Sequence, residues 1–243
     1  MKEPTYISAQ DTSMIFPDVE FSLSEPNGLL AIGGDLSVRR LVSAYRKGIF
    51  PWFTDDQPIL WWSPDPRMVL TPSEIKISRS LKKTLRKQIF HVSFDTAFDQ
   101  VIDACSQPRA DQPGTWITQD MKNAYHQLHQ QGIAHCFESW QDGKLVGGLY
   151  GIAIGKVFFG ESMFSLVTNA SKVAFVHSVE CLKNWGYVLI DCQVETDHLA
   201  SFGATNISRE QFGKQLENLV DQQPLENAWV HNSTKSKISE ICR

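Results

Sequence analysis

The chain has 243 residues, 42% hydrophobic and 21% charged, with a formal net charge of −4 and a pI near 6.0. That composition fits an ordinary soluble globular protein with room for one generous core, or for one full domain and a small companion. It excludes a membrane helix, which needs about 20 consecutive apolar residues, and a whole-molecule field attractive to nucleic acid; Met1 to Asp11 also lacks the basic-then-apolar pattern of a secretory leader, so the expected location is the cytoplasm.

Residues 16 to 62 are rich in Gly, Pro and aromatics and contain one clear helix. Ser37 is its expected N-cap, Leu36 and Leu41 fit a hydrophobic staple, and Gly48 fits a left-handed stop. Pro51, Pro58, Pro64 and Pro66 then punctuate an aromatic loop or edge strand. Residues 1 to 64 are expected to form a small N-terminal domain, and residues 65 to 243 the larger one.

Beyond Pro66 strands alternate with helices. Met68 to Leu70 reads as a strand, Ser78 to Gln88 as a basic helix, His91 to Phe94 as a strand, and Thr96 to Cys105 as a helix. The spacing of Met121, Ala124, Tyr125 and Leu128 predicts a helix over Thr118 to Gly132. Two strands follow, Ala134 to Gln141 and Lys144 to Ile154, joined by the hairpin signal Asp142-Gly143. A third, Lys156 to Gly160, comes after Gly155. Asn169 or Ser171 caps a helix to about Asn184, Gly186 ends it, and Tyr187 to Cys192 is the last central strand. His198 to Gly203 reads as a short helix, and the polar tail from His231 to Arg243 as frayed. A meander, a helix and a further strand is the layout of a GNAT acyltransferase: α+β, with a mostly antiparallel central sheet.

Glu161 closes one apolar run, and Asp191-Cys192-Gln193 another. A buried carboxylate is costly unless paired, so two strand-terminal polar groups suggest a site. By strand alternation Asp191 and Gln193 share a face, with Cys192 opposite. The carboxylate could polarise the amide, whose oxygen could accept from an incoming amine, while Glu161 could hold an amine or position an ester. The competing structural reading is an Asp capping a turn and a Gln bonded to backbone. A Cys192–His198 thiol nucleophile is a weaker alternative. Five scattered cysteines without a CxxC pair argue against a disulfide framework or a structural zinc; His126, His129 and His135 lack a further ligand.

Arg79, Lys82, Lys83 and Arg86 share one helix face, opposite Ile77, Leu81, Leu85 and Ile89; Lys76 and Lys87 extend the patch. This is either a solvated amphipathic face or a phosphate-backbone contact. Trp52 and Trp116 lie in loop-like contexts where an indole can stack on an unpaired base, whereas Trp61 and Trp185 read as core anchors. The Walker, GxGxxG and GxSxG motifs are absent.

From Phe16 to Trp229 the chain resembles the bacterial leucyl/phenylalanyl-tRNA–protein transferases. The resemblance rests on Glu25-Pro-Asn-Gly-Leu-Leu-Ala-Ile-Gly-Gly-Asp35, Tyr45 to Trp52, Trp61-Trp-Ser-Pro-Asp-Pro-Arg67, Gly114-Thr-Trp-Ile117, Gly160-Glu-Ser-Met-Phe-Ser165, Asn169-Ala-Ser-Lys172 and Ile190-Asp-Cys-Gln-Val194. It implies transfer of Leu or Phe, less readily Met, from aminoacyl-tRNA to the α-amine of proteins beginning with Arg or Lys, which marks them for N-degron degradation, by a cofactor-free monomer. It implies a catalytic Asp191–Gln193 pair, with Asp191 polarising Gln193, and Glu161 on the donor's α-amine. Trp52 and Trp116 would contact the terminal adenosine; Leu149, Phe158, Met163 and Ser165 would line the amino-acid pocket. Arg79, Lys82, Lys83, Arg86 and Lys87 would contact tRNA. A family mechanism in which the ribose hydroxyl shuttles the proton stays open. Leu149 and Leu166 depart from the family's usual Met and Arg. An acyl-CoA-dependent acyltransferase and a non-catalytic RNA-binding module remain as alternatives, although the turn Val167-Thr-Asn-Ala-Ser171 lacks the glycine expected for CoA.

Overall fold

Two sheets organise the computed structural model, which describes residues 3–108 and 115–230. Gly114, Cys242 and the tail from 231 to 243 lie outside the described residues. The smaller sheet has the order β1-β2-β4-β3, from β1 (Thr5–Ile7), β2 (Leu29–Gly33), β3 (Phe50–Pro51) and β4 (Leu60–Trp62). Helix α1 (Val38–Arg46) starts as expected: the Ser37 hydroxyl accepts from the Arg40 N–H. Gly48, at φ +72°, ends it in the left-handed conformation that glycine adopts without strain.

The larger sheet contains β5 (Arg67–Leu70), β6 (His91–Phe94), β7 (Ala134–Gln141), β8 (Lys144–Ile154), β9 (Val157–Ser165), β10 (Leu189–Gln193) and β11 (Thr205–Ile207). Its order is β11-β5-β10-β9-β8-β7-β6, and every junction is antiparallel except β9–β10. The protein is thus a mixed α+β fold. Asp142 and Gly143, both at positive φ, make the β7–β8 turn.

Side-chain alternation splits the core in two. Val69, Phe159 and Leu189 face one cluster with α3 (Phe98–Cys105), α4 (Gln119–Gln130) and the smaller sheet. Their neighbours Leu70, Phe158 and Ile190 face the other, with α2 (Arg79–Arg86) and α5 (Ala170–Asn184). The smaller sheet therefore shares a core with the larger one. Trp61 is fully buried, and its indole N–H donates to the Gly33 carbonyl.

Two features depart from expectation, and a third lies where the sequence carried no expectation. Strand β9 runs to Ser165, because β8 is long enough to pair with it as far as Gly147↔Ser165; Glu161 is therefore inside a strand. Ile89 is 46% exposed, since α2 ends at Arg86 before it can turn inward. Residues after α6 (Asp197–Ala200) form β11 and α7 (Arg209–Leu219), whose start carries a Ser208/Gln211 capping box. No helix among the described residues is long and apolar enough to cross a bilayer.

Candidate active site

The parallel pair β9–β10 holds register only through Asp191↔Phe159. Just beyond, each strand carries a bulge. On β9, Ser162 pairs with Tyr150 and Gly160 with Gly151, which leaves Glu161 as the extra residue. On β10, Asp191 pairs with Val69 and Gln193 with Met68, which leaves Cys192 as the extra residue. A bulge re-aims the side chains around it, and Gln193 lies at φ +61°, a conformation costly for a non-glycine residue.

What holds that conformation is Asp191. Its carboxylate is fully buried and accepts two hydrogen bonds from Arg67, Nε–Oδ1 at 2.8 Å and Nη2–Oδ2 at 2.6 Å. Oδ1 also accepts from the backbone N–H of Gln193 at 2.9 Å. The guanidinium is stacked between the rings of Phe50 and Phe212, at 4.8 and 4.7 Å, and donates to the Gly48 carbonyl. A buried charge pair of this kind tolerates desolvation because its hydrogen bonds are satisfied. Asp191 thus reaches Gln193 through the main chain, not through the side-chain amide it was expected to polarise. Cys192 does face the opposite core cluster, and burial pushes its thiol far above the ordinary range, which disfavours the thiolate that a thiol nucleophile needs.

The Gln193 amide instead donates to Glu161, Nε2–Oε1 at 2.8 Å, and Tyr125 donates to the other carboxylate oxygen at 2.8 Å. Tyr125 in turn meets the Tyr45 hydroxyl at 2.5 Å, so Tyr45 of α1 stands behind the same carboxylate. Burial raises the Glu161 carboxyl from 4.5 to about 7, against the lowering effect of the tyrosine hydroxyls; the Asp191 charge adds to the rise and Arg67 opposes it. With its N–H committed to Glu161, the Gln193 amide turns its oxygen away from the carboxylate as an acceptor.

These groups border a cavity of about 680 Å³, a size suited to a small-molecule group. Glu161, Asp191, Gln193, Trp116, Leu149, Phe158, Met163 and Ser165 all line it. Leu149 and Phe158 are buried in its wall, whereas Ser165 is exposed at the rim, where its hydroxyl caps α5 by accepting from the Ser171 N–H. That hydroxyl replaces the side-chain cap expected of Asn169 or Ser171; Asn169 takes the N-cap position at φ +69° with no side-chain capping bond. Trp52 does not line the cavity; it is 49% exposed and packs edge-on against Trp62. Arg79, Lys82, Lys83, Arg86 and Lys87 are all exposed, outside the cavity, yet Thr84 of the same helix accepts from Asn169 beside the rim. The three histidines do not converge: His126 meets Asp99, His129 the Ala134 carbonyl and His135 Asp95.

Where two parallel strands part, the protein holds a pocket with a carboxylate, an oriented amide and apolar walls, an arrangement able to position reactants. Residues 69–217 match the leucyl/phenylalanyl-tRNA protein transferase family, and residues 34–65 match that family's N-terminal domain. The chain is 56% identical over 224 residues to the leucyl/phenylalanyl-tRNA–protein transferase of Saccharophagus degradans, covering 92% of this chain and 91% of that one. It is 58% identical over 215 residues to that of Nitrosospira multiformis, covering 88% and 93%. Among solved structures it is distantly similar to FemX, with a TM-score of 0.46 and 10% identity over 74% of this chain and 71% of that one. The chain belongs to the leucyl/phenylalanyl-tRNA protein transferase family. It is an aminoacyltransferase that moves an aminoacyl group from tRNA to protein.

Arg67, Tyr45 and Tyr125 were not singled out from the sequence as site residues. Arg67 opening the apolar run Met68-Val69-Leu70 was a usable signal, because a buried guanidinium requires an acid partner.

Proposed function

We propose that this protein transfers Leu or Phe, and Met less readily, from the 3′ end of a cytoplasmic aminoacyl-tRNA to the α-amine of proteins beginning with Arg or Lys, which marks them for N-degron degradation. The Gln193–Glu161 hydrogen bond at the cavity carries this reading. It orients two groups with complementary tasks. Glu161 receives the α-ammonium of the donor's aminoacyl group, which draws the carboxyl into its ionised form. The Gln193 oxygen accepts an N–H of the attacking amine and steers its lone pair to the ester carbonyl. The new C–N bond forms first, the bond to the ribose oxygen then breaks, and that oxygen ends with the amine's proton. Asp191 and Arg67 are positioning residues here, acting through the Gln193 backbone.

Leu149, Phe158 and Met163 offer apolar walls for an unbranched-Cβ side chain. Trp116 is available to stack on the terminal adenosine, and Trp52 to meet tRNA from outside the cavity. The exposed basic face of α2 would carry the tRNA backbone beside the rim. Residues 1 to 64 and 65 to 243 would act as one monomeric unit.

The test is incubation with labelled Phe-tRNA and a peptide beginning with Arg. Transfer from tRNA, lost in Gln193→Ala, is the expected result. Transfer from acetyl-CoA alone, or tRNA binding without transfer, would overturn the reading.

A further inference from the structure

Tyr150 lines the cavity next to the bulge that carries Glu161, and it is fully buried. Its ring is fixed edge-on by Tyr125 and Phe98, at 5.5 and 6.1 Å between centroids. Among the described residues its hydroxyl has no hydrogen-bond partner. The other two buried tyrosines near Glu161 are both satisfied: Tyr125 donates to the carboxylate and Tyr45 meets Tyr125. A buried hydroxyl without a partner costs the folded state free energy, and phenylalanine would have avoided that cost at the same volume. Burial and the Glu161 charge hold the phenol well above its ordinary range, so it stays protonated and available as a donor.

We propose that Tyr150 is a catalytic residue whose hydroxyl donates to the carbonyl oxygen of the aminoacyl ester as negative charge develops on it. The inference rests on the functional reading above. With the donor's α-ammonium on Glu161, the ester carbonyl is two bonds from that nitrogen, on the side of the strand pair where Tyr150 stands. Because the hydroxyl is closed to water, admitting the oxygen requires a slight movement of the wall, and no solvent competes for the bond. Amine attack makes the C–N bond and places charge on the carbonyl oxygen; Tyr150 stabilises that charge without giving up its proton. The oxygen reverts to a carbonyl as the ribose oxygen leaves.

The test is Tyr150→Phe, assayed for Phe transfer from Phe-tRNA to an Arg-beginning peptide beside the unaltered protein. The expected result is a fall in kcat of about 100- to 1,000-fold with little change in KM, and a Tm no lower than that of the parent. A kcat within about twofold of the parent, a loss confined to KM, or a lowered Tm would each overturn the assignment. A second measurement uses two phenylalanyl conjugates of adenosine, one with an amide carbonyl and one with a methylene in its place. The carbonyl should favour binding to the parent and give no advantage in Tyr150→Phe; an equal advantage in both refutes it. If the parent itself fails to transfer, the functional reading fails first, and the two failures are thereby distinguished.

Discussion

Replacing Glu161 with Gln removes one titrating group from the cavity wall while keeping its size. The carboxamide retains an acceptor for Tyr125, and the Gln193 amide can turn to meet it. In the folded protein burial raises the Glu161 carboxyl from 4.5 to about 7. Between those values the folded chain holds a proton that the unfolded chain has released. The stability contributed by the neutral form is therefore complete below pH 4.5 and lost as pH rises through about 7. At about 1.4 kcal/mol per pH unit, the ionised carboxylate costs the fold at most about 3 kcal/mol at alkaline pH. Urea unfolding of both proteins, followed by tryptophan fluorescence from about pH 4.5 to 8, measures the difference directly and cancels all other titrating groups. The advantage of Glu161→Gln over the parent should grow with pH and approach 3 kcal/mol. A difference flat to within about 0.5 kcal/mol, or one that shrinks with rising pH, would show that the carboxyl is not held neutral.

Arg67→Met should cost about 3–5 kcal/mol, because it leaves the Asp191 charge buried and unpaired; adding Asp191→Asn should recover much of that, and thermal melts that show no recovery would refute the pairing argument. Gln193→Asn should leave stability within about 1 kcal/mol, since asparagine tolerates positive φ, while its shorter arm misses Glu161 and transfer falls at least tenfold; full activity would discount the amide's reach. Lys82→Glu with Lys83→Glu should weaken tRNA binding and flatten its dependence on salt without altering the melt, and unchanged binding over a salt titration would leave α2 a merely solvated face.

The sequence marked the residues of the candidate site better than it marked their geometry. Glu161 and Asp191 were conspicuous because acids rarely close apolar strand runs without a reason. The bulges were not legible: strict alternation was the only rule available, and a bulge depends on the partner strand. Hence the Asp191–Gln193 contact was expected between side chains and proved to run through the backbone. Arg67 and Asp191 are 124 residues apart, so no local pattern could pair them. Tyr125 reads as an apolar helix position, which it is, and its hydroxyl contacts with Glu161 and Tyr45 emerge only from packing. Strands β1 to β4 are too short to show periodicity among prolines and glycines. The start of α7 was readable, because Ser208 and Gln211 stand at capping-box spacing.

The stacking of Arg67 between Phe50 and Phe212 has a consequence for the order of assembly. Phe212 lies in the last helix described, so a chain growing on the ribosome must expose that helix before the guanidinium is enclosed and Asp191 can set Gln193. Such long-range contacts form late and together. A chain in which α7 has not yet packed therefore lacks the enclosed guanidinium that holds Asp191 and, through it, the backbone of Gln193 at the candidate site.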